Sequence, residues 1–249
     1  VFLYEDEALA AIDKPSGMTV HPVGRIRHGT LINKLHARYR RPGEPGDVVP
    51  RLSHRLDRDT SGVVLIVKDH HADAEMTDAF TFRRVRKTYL ALVAGIPPAD
   101  RGLVDAPMDR DPAQGTALHM GVKTEGQSAR SRWYVRRRYR RHALVELEPL
   151  TGRTHQLRVH MAHLGHPILC DHLYGDLRPL LRSDGDPDVS VREDGPILER
   201  LALHAHRLEL DHPRTGDRLV IESPLPEDLV HAADTLARLA PCAEMEKAC

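Results

Sequence analysis

The sequence predicts an α+β fold built on a large mixed sheet. Two observations carry that prediction. Strand-like and helix-like segments follow one another without the regular βαβ alternation of a parallel sheet, and no segment repeats. A third sets the scale: 249 residues, 41% hydrophobic and 29% charged, can bury a sizeable core as one large domain or two small ones.

In chain order, Glu7 to Lys14 reads as a short strand ended by Pro15-Ser16-Gly17. Leu31, Leu35 and Tyr39 fall at helical spacing within Thr30 to Tyr39. Arg41 to Asp47 is rich in turn formers and reads as a loop. Val63-Val64-Leu65-Ile66-Val67 is a continuous apolar run, the mark of a strand buried on both faces. His71 to Phe82 reads as a helix, and Tyr89 to Val93 as a strand. Val104 to Thr124, broken by Pro107 and Pro112, reads as loops and short strands. Arg132 to Arg138 and Ala143 to Leu147 are strands that can pair through a basic turn at Arg140-Arg141. Leu157, Met161 and Leu164 mark the apolar face of a helix, with Gly165 at its C-cap and Pro167 as its stop. Leu177 to Gly195, full of Pro, Gly, Ser and Asp, reads as a long exposed insertion. Leu219 to Glu222 is a last strand, Leu225 to Leu239 is helical, and Pro241 to Cys249 is a tail expected to fray.

Composition narrows the class. No apolar run approaches a membrane span, and the N-terminus lacks the charged start and apolar core of a signal peptide, so a cytoplasmic protein is expected. Cys170, Cys242 and Cys249 form no C-x-x-C pair, which argues against a disulfide framework or a cysteine zinc site. Formal net charge is zero, but the charge is segregated. Arg83-Arg84-Val85-Arg86-Lys87 is basic, as is Arg130 to His142, where aromatics interleave with guanidiniums; acids gather at Asp184 to Asp194. The basic segments read either as a face that docks RNA phosphates or as solvated strand surface in an arginine-rich chain, since only six of its 36 basic residues are lysine.

The most informative stretch is His54-Arg55-Leu56-Asp57-Arg58-Asp59-Thr60-Ser61-Gly62, which sets a carboxylate between two arginines just before the apolar strand. Neighbouring guanidiniums favour the ionised carboxylate. Two readings stand at this point: a turn feeding a strand, or Asp57 as a nucleophile or base.

This stretch resembles the His-Arg-Leu-Asp-x-x-Thr-Ser-Gly signature of the RluA-type pseudouridine synthases. Four further segments resemble that family in its own order: Lys14 to Pro22, Lys87 to Ala91, Leu150 to His160 running on to Ile168, and Leu203-His204-Ala205 with His212-Pro213. The resemblance covers roughly Tyr4 to Leu229. It implies the pseudouridine synthase catalytic fold: a large mixed, mostly antiparallel sheet with flanking helices and a central active-site cleft. The expected organisation is one catalytic domain over residues 1–230 with a loop insertion at about 176–196, then the end of a helix and a tail at 231–249. Some members carry a preceding RNA-binding domain of S4 type; none is expected here, because Tyr4 to Glu7 already resembles the start of the catalytic region.

The implied reaction is isomerisation of uridine to pseudouridine within structured RNA, rRNA or tRNA. It involves no redox change and needs no cofactor, and the chain shows no P-loop or dinucleotide fingerprint. Cleaving the N-glycosidic bond builds positive charge at the sugar, as in glycosidases. A carboxylate beneath the ribose can stabilise that charge, attack C1′ or remove a C2′ proton, and the resemblance assigns this position to Asp57. It assigns Tyr89 to stacking on the uracil and taking its C5 proton. It assigns Arg158 to pairing with Asp57, with Arg153 as the alternative or as a phosphate contact. Arg55 is placed to fill the space left by a flipped-out uridine. His54 and Lys87 join Arg55 and Arg153 as substrate-binding residues, Lys87 toward a phosphate or a carboxylate. Asp59 reads as a turn residue. One departure stands out: Cys170 occupies the position before Asp171 where the family usually has Gly.

Two other classes compete. Histidines number 17, and His160, His163 and His166 suggest zinc, but no H-E-x-x-H is present and Gly165 ends the helix before His166, so no metal is expected. An RNA-binding protein without catalysis is disfavoured by the intact Asp57, Tyr89 and Arg158. No membrane partner is expected, and a monomer is the default.

Overall fold

A computed structural model describes residues 1–114, 119–176, 178–186, 188–190 and 194–239. Cys242, Cys249 and the tail expected to fray lie outside the described residues. In chain order the strands are β1 (Phe2–Glu5), β2 (Leu9–Lys14), β3 (Arg51–Leu52), β4 (Ser61–Val67), β5 (Arg86–Ala94), β6 (Arg101–Asp105), β7 (Met108–Arg110), β8 (Met120–Val122), β9 (Arg130–Arg138), β10 (His142–Pro149), β11 (Leu180–Leu181), β12 (Pro196–Leu198), β13 (Leu203–Asp211) and β14 (Arg218–Glu222). The helices are α1 (Leu31–Tyr39), α2 (His70–Thr81), α3 (Gln156–His163), α4 (Arg182–Gly185) and α5 (Glu227–Leu239). The chain forms two compact units, one of Val1–Thr88 with His204–Pro224, the other of Tyr89–Leu203 with Leu225 onward.

The first unit is a mixed sheet. β2 runs antiparallel to both β1 and β4, β4 pairs in parallel with β13, and β14 returns antiparallel to β13. Every residue of β4 is buried, as its apolar run predicts. One face, through Val63, Leu65 and Val67, packs on Ala72, Met76 and Ala79 of α2. Those three residues lie on one side of the helix, and Asp69 caps its start by accepting a hydrogen bond from Ala72 N at 2.9 Å. α1 starts at Thr30, whose amide and hydroxyl both donate to Asn33 Oδ1.

In the second unit β5, β10, β9 and β6 form an antiparallel array in that order. The hairpin between β9 and β10 is the one predicted. α3 ends at His163, and Gly165 takes φ +80°, the left-handed stop expected of a C-cap glycine. Leu229, Ala232, Ala233 and Leu236 of α5 line one helical face and pack into a core with Leu180, Ile197 and Leu198.

The last contact corrects the reading of Leu177 to Gly195 as an exposed insertion. Leu180 is buried, β11 pairs with β12, and Gly185 lies against Leu236 and Leu239 of α5. Three strands were also not predicted, β1, the two-residue β3 and β13. β1 is four residues long, β3 only two, and β13 carries two His, an Arg, a Glu and an Asp among its apolar positions, so none shows a clean apolar pattern. With helices packed on mixed and antiparallel strands, the α+β prediction holds.

Candidate active site

Most of the His54-to-Gly62 stretch is committed to holding one loop. β3 reaches β4 only at Ile66 and Val67, and β13 only at Ser61 and Gly62, so neither supplies a partner at Leu65. His54 fills that gap: its Nε2 accepts the Leu65 N–H at 2.9 Å while its ring stacks on Phe80. Accepting there places the ring proton on Nδ1. Burial, helped by the nearby Lys87 charge, pushes the His54 pKa down to about 3. Leu56 and Thr60 are buried. Ser61 Oγ meets His204 Nδ1 at 3.0 Å, and His204 Nε2 donates to Ser223 O at 3.1 Å. Gly62 has φ +113°, and a Cβ there would sit 2.2 Å from the Ala205 carbonyl oxygen. Only glycine admits β13 at that distance.

The loop is also tied from below. Lys14 is fully buried, and its ammonium donates to the carbonyls of Pro15, Met18 and Arg58 at 2.9–3.0 Å. Ser16 Oγ donates to Asp59 O at 2.7 Å. The segment Lys14 to Met18 therefore serves as a clamp on the Asp57 loop. Asp57 itself is half-buried, and its carbonyl accepts the Thr60 amide in a turn. The two flanking arginines do not both face it: Arg58 forms a fork with Asp59 at 2.9 and 3.0 Å. Asp59 is thus a paired turn residue, as predicted. Arg55 is exposed, and its charge reaches His21, lowering the pKa of that ring after burial has done so.

His54→Leu tests the internal role of that histidine. It leaves the Leu65 N–H without an acceptor, which costs about 1–3 kcal/mol. A pH signature accompanies it. Between about pH 6.5 and about 3 an unfolded His54 binds a proton that the folded protein refuses, so wild-type stability falls on acidification through this window. One such proton contributes about 1.4 kcal/mol per pH unit. Urea denaturation from pH 7 to 4 is expected to show a shallower pH slope for His54→Leu; an identical slope would refute the assignment.

Lys87 lies in the same unit, half-buried, with its ammonium 5.8 Å from the centroid of Phe80. Burial lowers its pKa, and no carboxylate lies within ion-pair distance among the described residues. A half-buried, unmatched ammonium is a ready anion contact.

In the second unit Tyr89 is half-buried against the core, opposite Leu147 of β10. Arg158 is buried in α3, and the partner the structure describes is Asp171. Arg158 Nε and Nη2 each donate to one Asp171 oxygen at 2.7 Å. Asp171 Oδ1 also accepts the amides of Leu173 and Tyr174. Burial pushes the Asp171 carboxyl up, but the Arg158 hydrogen bonds and charge outweigh it and hold it below the usual carboxylate range. The Tyr174 ring lies 5.1 Å from Arg158 Cζ, and its hydroxyl is held by His155 Nδ1 and Met120 N. Arg153 donates through Nε to Ser128 O. Gln156 staples α3 to β9, donating to Arg130 O and Ser131 Oγ and accepting from Thr151 Oγ1 and Arg153 N.

Asp171, Tyr174 and Gln156 were not among the residues read as functional. Asp171 entered only as the residue after Cys170, because neither its burial nor its pairing with Arg158 is visible in sequence. Cys170 takes φ +57°. That left-handed backbone is the physical reason a glycine suits the position. Of the suggested zinc histidines, His160 is bonded through both nitrogens, to Ser131 Oγ and Ala106 O, and His166 Nδ1 meets Ala94 O. Among the described residues no three His, Cys, Asp or Glu are grouped to hold a metal ion.

The predicted basic strand face is largely matched by acids. Arg132 and Arg136 of β9 pair with Glu148 and Glu146 of β10, Arg130 with Asp105, and Arg138 with Asp100.

The sheet, the clamped aspartate loop and the Arg158 helix define a class. The family model for RNA pseudouridylate synthase matches residues 8–163, and the chain belongs to that family. Ribosomal large subunit pseudouridine synthase D of Xanthomonas campestris is 41% identical over 229 residues, covering 91% of this chain and 66% of the relative. An uncharacterised RNA pseudouridine synthase of Chloroflexus aurantiacus is 42% identical, covering 87% of this chain and 63% of the relative. The structure of human RNA pseudouridylate synthase domain containing 4 superposes with a TM-score of 0.70 at 29% identity, covering 94% of this chain and 92% of the human one. The chain spans about two thirds of the length of the first curated relatives it matches.

Proposed function

We propose that this chain isomerises uridine to pseudouridine in RNA, with ribosomal RNA of the large subunit as the first substrate to try. The names of its relatives support the substrate. The observation that carries the reading is the Asp57 loop. Its neighbours His54, Leu56, Ser61 and Gly62 are engaged in holding the loop, and Arg58 is engaged with Asp59. A carboxylate on so fixed a loop suits chemistry at a sugar carbon, either attack on C1′ or removal of a C2′ proton. Tyr89 stacks on the uracil and takes the C5 proton. Arg158 holds the Asp57 carboxylate in place. Arg55 fills the space left by the flipped base, and Lys87 and Arg153 contact RNA phosphates. The isomerisation is internally balanced and calls for no cofactor. The enzyme works in the cytoplasm, as a monomer; among the described residues no helix is long and apolar enough to cross a membrane.

The charge pattern moves the RNA contact away from β9. Four of its five guanidiniums, those of Arg130, Arg132, Arg136 and Arg138, already face carboxylates, whereas residues 21–29 are exposed and bring Arg25, Arg27 and His28 forward without ion-pair partners among the described residues. Val23 and Ile26, joined by two backbone hydrogen bonds of 3.0 Å, form the turn that presents Arg25. Two tests follow. The purified chain, incubated with large-subunit rRNA and with tRNA transcripts, is expected to form pseudouridine in the rRNA, read by mass spectrometry of the digests; no product in either RNA would reject the activity. Arg25→Glu/Arg27→Glu is expected to weaken RNA binding and flatten its salt dependence by about one unit of slope per lost phosphate contact. Arg132→Glu/Arg136→Glu serves as the comparison, and a larger loss there would return the contact to β9.

A further inference from the structure

We propose that Asp171 is a positioning residue for the reaction, one that fixes the Arg158 guanidinium and matches its charge. The inference rests on the proposal above that Arg158 holds Asp57. Asp171 is fully buried, and each of its oxygens takes one edge nitrogen of Arg158 at 2.7 Å. Two backbone amides, of Leu173 and Tyr174, fix the Asp171 carboxylate in turn. The guanidinium is thus held along its Nε–Nη2 edge by a bidentate fork and backed by the Tyr174 ring at 5.1 Å. Tyr174 is itself secured through its hydroxyl, 2.7 Å from His155 Nδ1 and 3.0 Å from Met120 N. A guanidinium has five N–H donors, so this fork leaves others to address a second carboxylate.

The charge balance has a consequence. With Asp171 ionised, the pair Arg158–Asp171 is neutral, so Arg158 aims Asp57 by hydrogen bonding more than by net positive field. Removing the Asp171 charge frees that field. Tyr174 backs the pair, with His155 against its hydroxyl and with His119, whose ring lies 4.6 Å from that of Tyr174, beside it. All three remain in an Asp171→Asn variant, so their titration is common to both proteins.

Two variants separate position from field. In Asp171→Asn, kcat per RNA-bound protein is expected to fall about 10- to 100-fold with KM within threefold, because a reacting group displaced by an ångström loses that much. Its acid limb of activity is expected to move down by about one pH unit, because an unmatched guanidinium favours the carboxylate it faces. In Tyr174→Phe the Asp171 charge stays and only the backing ring is loosened; kcat falls severalfold and the acid limb stays in place. If Asp171→Asn does not fold, a wild-type kcat in Tyr174→Phe overturns the proposal by itself. If it folds, an unchanged kcat or an unmoved acid limb overturns it, since a merely structural role lowers the folded fraction and leaves both alone. Asp57→Asn run in parallel keeps the two ideas apart. Product from Asp57→Asn would remove the reading on which this one rests, whereas an inactive Asp57→Asn beside an unaffected Asp171→Asn rejects the role of Asp171 alone.

Discussion

Asp57→Asn is expected to lose pseudouridine formation by at least about 10³-fold while binding RNA within about threefold of the wild type. The two effects separate because the substitution is nearly isosteric and the loop does not depend on the carboxylate for its described ties. Lys14, Ser16 and Thr60 hold it through the backbone carbonyls of Arg58, Asp59 and Asp57, and His54, Ser61 and Gly62 hold its flanks. An amide can still occupy the turn, but it can neither attack a sugar carbon nor take a proton from one. Asp59→Asn provides the contrast: its partner is the exposed Arg58, and the loss in rate is expected to stay within a few fold. Single-turnover assays on a uridine-labelled rRNA fragment, with binding measured by filter retention, decide the matter. Residual activity within tenfold of wild type in Asp57→Asn would transfer the chemistry to another residue.

Arg158→Leu has the largest expected effect on stability, about 3–5 kcal/mol at neutral pH. Both members of the Arg158–Asp171 pair are almost fully buried. Removing the cation leaves a carboxylate in the core with, among the described residues, two backbone amides to serve it. The pH dependence gives the sign. In the wild type Asp171 sits below the usual carboxylate range, so its contribution is present above its unfolded pKa and fades as pH falls through the folded one. Without Arg158 burial dominates and raises the Asp171 pKa, so protonation relieves the variant as the pH falls. The stability gap between wild type and Arg158→Leu should therefore narrow from pH 7 to pH 4.5 in urea denaturation. The double variant Arg158→Leu/Asp171→Leu should recover part of the loss at pH 7, because no buried charge remains. A gap that widens with acid, or a double variant worse than the sum of the singles, would contradict this account of the pair.

The elements that were legible in the sequence are those whose signal is local. The five apolar residues of β4 could only be a buried strand, and the helical spacing in α1 and α2 came with Thr30 and Asp69 where their N-caps lie. The hairpin β9–β10 announced itself by two strand patterns around a basic turn. β13 did not, because its His204, His206, Arg207 and Glu209 are strand residues only by virtue of partners far away in sequence. β11 and β12 were hidden in a polar segment because Leu180 and Leu198 become core residues only once α5 covers them.

The same division runs through the site. By itself the sequence determined where the chemistry would be sought: the motif around Asp57, the tyrosine at 89 and the arginine at 158 are marked by residue type, order and spacing. Tertiary structure decided which charges are matched and which are available, because pairing depends on the strand or helix that folding brings opposite each side chain. It placed Glu146 and Glu148 beside the arginines of β9, turned Arg58 to Asp59, and put Asp171 on Arg158. A guanidinium looks the same in sequence whether it meets a carboxylate or a phosphate, and only the residue buried against it says which.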